Sequence, residues 1–207
     1  MGSHEMAGPV EGEAVDQLAD WASLWADLLH VDMTLHARSD VPDDATHLFT
    51  RRALWEAAVI SYGRTATSGR RQQRVTDLVS ALGAEAEKCH QDVMAWRNRH
   101  VAHRVDRLRE AVETEVIVDP AERRLKRVNV RVAPALGPEE DVDDLVRRFE
   151  SHVKALRDRV WEERFPALER EVLENYANRI EDLLAVAKPL TTAANPFAID
   201  INLSGRS

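Results

Sequence analysis

The chain has 207 residues, with 28 Lys and Arg against 36 Asp and Glu, 44% hydrophobic and 31% charged residues. That length accommodates a core without staples, that composition excludes a disordered polar chain, and a formal charge of −8 excludes nucleic-acid binding through overall basicity. A single cysteine, Cys89, excludes an intrachain disulfide and argues against a structural zinc site.

The opening Met-Gly-Ser-His reads as an expression-vector remnant, and residues 1–10 as that remnant with a disordered start. From about Glu13 to Leu35 two adjacent stripes repeat at steps of three and four. Val15, Leu18, Ala22, Trp25 and Leu29 form one, and Trp21, Leu24, Leu28, Val31 and Leu35 form the other, which predicts a helix buried on two sides. Asp43 and Asp44 are candidate caps for a second helix reaching about Tyr62, and the small, hydroxylated stretch from Thr65 to Gly69 predicts a loop. A short helix follows with Val75, Leu78, Val79 and Leu82, closed by Gly83.

The next helix, from about Ala84 to beyond His103, carries Ala86, Cys89, Val93, Trp96, His100 and His103, so two histidines extend an apolar seam. The period then changes. Val116-Ile-Val118, the Asp119-Pro120 turn and the alternation of Val128, Val130 and Val132 with Asn129 and Arg131 predict a β-hairpin at about 114–133. A helix with Val142, Leu145, Phe149, Leu156 and Val160 comes next, interrupted at Pro166. The last helix carries Leu168, Val172, Ile180, Leu183 and Ala187 and stops near Pro189, leaving an irregular tail at 190–207. The expected fold is all-α, or mainly α: one antiparallel helical-bundle domain over residues 11–189 with an inserted β-hairpin. No apolar run approaches a membrane span, which leads to the expectation of a cytoplasmic protein without membrane contact. All five tryptophans fall in apolar helical patterns and are assigned to packing.

Charge is uneven along the chain. Between Arg64 and Arg131 there are 15 basic and 10 acidic residues, leaving 13 basic and 26 acidic elsewhere, so the middle is either a solvated surface or a face for a polyanion. Within it, Arg97, Asn98, Arg99, His100, His103 and Arg104 gather where the apolar seam ends. On a continuous helix Arg97 and His100 are neighbours, whereas Arg97 and His103 diverge by roughly 120°. A helix break inside the segment, or a second copy across a dimer interface, would bring them together.

Arg97, Asn98 and His103 carry a resemblance to the HEPN superfamily, helical domains whose ribonuclease members have an Arg, often followed by a polar residue, and a His a few positions on. Arg-Asn-Arg-His-Val-Ala-His at 97–103, with Ala53-Leu-Trp55, Tyr62, Arg64 and Gly69-Arg70, is similar to the bacterial abortive-infection branch, and the resemblance covers about residues 45–110. It implies a metal-independent endoribonuclease, without cofactor, acting in phage defence or a toxin–antitoxin system. The 2′-hydroxyl would attack the adjacent phosphate, with His103 moving protons, Arg97 stabilising phosphoryl charge, Asn98 positioning the phosphate and His100 assisting. It also implies a homodimer juxtaposing two copies, an RNA substrate and a protein antitoxin or regulator. Arg99 and Arg104, with Arg127 and Arg131 on one face of the hairpin, are candidate RNA contacts.

The competing reading is a non-catalytic dimeric interaction or RNA-binding module. In it His100 and His103 are satisfied histidines closing a core seam, and Arg97 and Arg99 pair with acidic residues of a neighbouring helix. Other chemistry finds little support. Glu87-x-x-His90 has no second copy to complete a di-iron centre, and His100 with His103 lacks a third ligand. There is no Gly-rich phosphate loop and no nucleophile elbow.

Overall fold

The computed structural model describes residues 6–66, 69–102, 111–133, 144–189, 201 and 203. In chain order the elements are β1 (Met6–Ala7), α1 (Glu13–Ser39), α2 (Leu48–Ala66), α3 (Gly69–Leu82) and α4 (Ala84–Trp96), then a π-helical turn (Arg97–Ala102). A hairpin of β2 (Ala111–Asp119) and β3 (Arg124–Ala133) follows. The chain continues with α5 (Leu145–Arg159), a second π-helical turn (Val160–Arg164), α6 (Phe165–Tyr176), α7 (Ile180–Val186) and β4 (Lys188–Pro189). The fold is therefore mainly helical with a hairpin where the alternating pattern puts it. No helix among the described residues is long and apolar enough to cross a membrane. The chain divides into two compact units, residues 30–153 and residues 1–29 with 154–207.

Helix α1 begins after Gly12, whose φ of 127° suits glycine, and the Asp16 amide donates to the Gly12 carbonyl at 2.9 Å. Glu13 and Asp16 in its first turn and His36 and Arg38 in its last match the polarity of the helix dipole. The stripe Trp21, Leu24, Leu28, Val31 and Leu35 is buried throughout, whereas Val15, Leu18, Ala22, Trp25 and Leu29 are half-buried.

In the unit of residues 30–153, the Asp44 carboxylate accepts the amides of Thr46 and His47 at 2.8 and 3.0 Å, shaping the turn that leads into α2. The buried Arg51 reaches back from α2 to donate to the Val41 carbonyl at 2.7 Å, satisfying loop backbone beyond the end of α1. Helix α2 runs past Tyr62 to Ala66, beyond the expected loop start at Thr65. The Thr65 hydroxyl donates to the Tyr62 carbonyl at 2.7 Å and is buried, so Thr65 continues the helix and packs in the core. Gly83, with φ 92°, separates α3 from α4, and α2, α3 and α4 pack on one another. Their core is aromatic at its centre. Trp55 meets Trp96 edge-on at 5.3 Å and Phe149 at 5.8 Å, and Phe149 meets Tyr62 at 5.1 Å.

In the hairpin, Thr114 pairs with Val130, Val116 with Val128 and Val118 with Leu125, so these six share one face. The other face pairs Glu113 with Arg131 and Glu115 with Asn129. Asp119 accepts the amides of Ala121 and Glu122 at the tip.

In the unit of residues 1–29 with 154–207, Trp25 packs on Trp161 at 5.5 Å, Trp161 on Phe165 at 5.5 Å, and the Arg157 guanidinium lies 5.3 Å from the Trp25 ring. Pro166 stands in the first turn of α6, where its missing amide hydrogen costs little. The single last helix expected from the sequence is two, α6 and α7, broken at Ala177–Arg179. Residues β1 and β4 pair, which the sequence did not announce, and the Tyr176 hydroxyl donates to the Glu11 carbonyl at 2.8 Å. The expectations for residues 1–5 and for most of the tail at 190–207 lie outside the described residues.

Candidate functional site

The apolar seam of α4 places Cys89, Val93 and Trp96 in the core of the unit 30–153, as its spacing requires. The segment that follows leaves α-geometry at Arg97. Hydrogen bonding from i to i+5 widens the helix and changes the rotational phase of every residue after it, and such turns recur at functional sites. The π-helical turn occupies Arg97–Ala102, and the placement of His103 relative to Arg97 lies outside the described residues.

Arg97 is half-buried and its Nη1 donates to the Asn98 side-chain oxygen at 3.0 Å. Its aliphatic stem and Nε lie against α2 at Gly63. A β-carbon there would stand 2.6 Å from the Arg97 Nε and 2.7 Å from its Cδ, so the missing side chain at position 63 is what admits the arginine. Asn98 and Arg99 are exposed beside it. The structure therefore brings Arg97 and Asn98 together at the surface. His100 lies in the π-helical turn, and His103 and Arg104 lie outside the described residues. On the hairpin, Arg127 is exposed opposite Ile117, and Arg131 is exposed but ion-paired with Glu113 at 3.1 Å.

A second cluster escaped the sequence reading. The Tyr62 hydroxyl lies 2.7 Å from Nδ1 of His90 and 2.8 Å from Nε2 of His152. Tyr62 is fully buried and His152 is 5% exposed. One hydroxyl donates one proton, so one histidine must accept from Tyr62 and the other donate to it. Among the described residues Nδ1 of His152 has no hydrogen-bond partner. A bare acceptor is less costly to orphan than an N–H, so His152 carries its proton on Nε2 and donates to Tyr62, which donates to His90.

Burial keeps this network neutral. It pushes His152 down to about 4, with His90 adding to the effect, lowers His90 itself, and raises the Tyr62 phenol. Burial also lifts the neighbouring Cys89 thiol to about 11, so Cys89 is protonated and not a nucleophile near neutral pH. Arg148 and Asp92 pair at 2.9 Å near that thiol. A signal existed for His152, which sits between Phe149 and Leu156 on the buried stripe of α5, yet nothing in the sequence linked it to Tyr62 and His90.

Among the described residues no three His, Cys, Asp or Glu side chains converge as metal ligands. A cleft of about 530 Å³ lies in the unit 1–29 with 154–207, lined by residues including Glu11, Tyr176, Arg179 and Asp182, away in sequence from the Arg97 segment. Comparison of the chain with protein-family models, curated proteins and solved structures finds no match.

Proposed function

We propose that the chain is a HEPN-like, metal-independent endoribonuclease in which Arg97, Asn98 and His103 carry the chemistry and His100 assists. The observation that supports this most is the Arg97–Asn98 pair, held at the start of a π-helical turn by close packing of Arg97 on Gly63. A guanidinium fixed in this way meets a phosphate as a preorganised donor with little reorganisation, and Asn98 adds neutral hydrogen bonds.

In the reaction the RNA 2′-hydroxyl attacks the adjacent phosphorus as His103 takes its proton. The 5′-oxygen leaves with a proton from a second imidazole, giving a 2′,3′-cyclic phosphate and a 5′-hydroxyl. A two-fold dimer supplies that second imidazole from the partner copy, with His100 as auxiliary. Arg99, Arg104 and Arg127 offer phosphate contacts along the approaching strand. Arg131 would first release Glu113, an exposed pair worth at most about 1 kcal/mol. The biological setting we propose is phage defence or a toxin–antitoxin pair in the cytoplasm, with a protein antitoxin as regulator.

The test is incubation of the purified chain with RNA in excess chelator. Cleavage that disappears in His103→Ala and Arg97→Ala, each with its helical circular dichroism retained, supports the reading. RNA retention without cleavage assigns the chain instead to a binding module.

A further inference from the structure

The β2–β3 hairpin is amphipathic across its two faces. On its charged face Arg131 pairs with Glu113 at 3.1 Å and the Asn129 amide donates to Glu115 at 3.3 Å, with Arg127 opposite Ile117. The opposite face carries no charge apart from Lys126, which falls at the irregularity between Leu125 and Arg127 and pairs with Asp119 at 3.4 Å, and Val116, Val118, Leu125, Val128 and Val130 on it are 52–73% exposed. Among the described residues β2 and β3 pair only with each other. A two-stranded sheet with an open apolar face is marginal in water and gains stability when that face is covered.

We propose that this face is a homodimer interface, in which the hairpins of two copies of the chain pack face to face about a two-fold axis. A second copy is the occupant that fits because the contact is self-complementary. The valine faces meet with Lys126 held toward the hairpin tip by Asp119, while the faces bearing Glu113, Glu115 and Arg131 remain in water with their pairs intact. The area suits a weak dimer. Strands of nine and ten residues give a face about 30 Å long and about 10 Å wide, or about 300 Å² per copy, comparable to the largest apolar patches that monomers expose. Two such faces contribute about 600 Å², and flanking side chains have to supply the rest of the ~1,000 Å² at the lower end for a specific interface, so the dimer is weak and concentration-dependent. Edge-to-edge pairing is the less favourable alternative, since the irregularity at Ile117/Val118 and the nearby Lys126 and Arg127 interrupt a regular edge. The inference does not rest on the ribonuclease reading, because a chain without nuclease activity would pair in the same way.

Sedimentation equilibrium of the full chain across the micromolar range tests it. The expected result is a mass approaching twice that of one chain, with Val116→Lys/Val128→Lys weakening association at least about tenfold while helical circular dichroism is unchanged. Val130→Cys provides a conservative second arm. It should form an intermolecular disulfide on mild oxidation, whereas Glu115→Cys on the opposite face should not. A monomer at every concentration, a dimer indifferent to the lysines, or equal cross-linking from both faces overturns the proposal. So does a monomer whose hairpin binds lipid vesicles, because that would assign the face to another partner.

Discussion

Gly63 lies against Arg97 so closely that a β-carbon at position 63 would stand 2.6 Å from the Arg97 Nε. The glycine sits within α2, where an alanine would otherwise favour the helix by about 1 kcal/mol. Gly63→Ala is therefore expected to destabilise through overpacking by about 1–3 kcal/mol in spite of its better propensity. Arg97→Ala should relieve that clash, making Gly63→Ala/Arg97→Ala more stable than the sum of the single changes implies. Urea unfolding of the four chains measures the coupling, and additive effects would show that the two positions do not touch.

The Tyr62 hydroxyl serves two histidines at once, so Tyr62→Phe leaves a buried nitrogen of His152 and a half-buried one of His90 without their partner. The expected cost is about 1–3 kcal/mol, with no change in the slope of the urea transition. A midpoint equal to that of the parent would mean that the histidines do not depend on the phenol.

Acid should unfold the protein earlier than its carboxylates alone would dictate. Folding lowers His152 from 6.5 to about 4, so the unfolded chain takes up the proton first as pH falls. The stability is fully present above pH 6.5 and is lost progressively as pH falls from 6.5 toward about 4, on the order of 3 kcal/mol in all. His90 moves in the same direction, for the same reason of burial. Asp44, held low mainly by its hydrogen bond with His47, and Asp119, held low mainly by the Glu122 amide, lose their contribution only below that window. Urea titrations at pH 7 and pH 5 should show the decline in the parent and a flatter response in His152→Gln. Equal pH dependence in both would remove His152 as its source.

Arg51 is buried and hydrogen-bonded to the Val41 carbonyl at 2.7 Å, with Asp43 3.5 Å from its Nε. Arg51→Met keeps the stem but removes the donors. The expected loss is about 1.5–3 kcal/mol, read as a lower thermal midpoint, and the loop at Val41 should become more open to proteolysis. An unchanged midpoint would show that water replaces the guanidinium without cost.

Periodic features were the legible part of this sequence. Trp21, Leu24, Leu28, Val31 and Leu35 repeat over five positions, and all are buried; the hairpin was visible because Val128, Val130 and Val132 alternate with polar residues. The π-helical turns left no such trace, since a six-residue stretch with i to i+5 bonding is too short to show a period of its own. The break at Ala177–Arg179 was hidden for a related reason: apolar residues continue on both sides of it, although Ile180 is largely exposed. Of the site, the local cluster Arg97–Asn98 could be read from adjacency. The Arg97–Gly63 contact and the Tyr62–His90–His152 network depend on helix packing, which joins positions as far as 90 residues apart.

Under the proposed function, Arg97 and His103 drive attack by an RNA 2′-hydroxyl on the neighbouring phosphate. The most direct measurement of this attack is the chemistry of the ends made from an RNA of known sequence in excess chelator, compared with the same RNA carrying one 2′-deoxy nucleotide at the cleaved position. Attack by the 2′-hydroxyl leaves a 2′,3′-cyclic phosphate and a 5′-hydroxyl from the first, and no cut at that position in the second. Ends bearing a 3′-hydroxyl and a 5′-phosphate, cleavage that persists at the deoxy position, or an RNA left intact would contradict it.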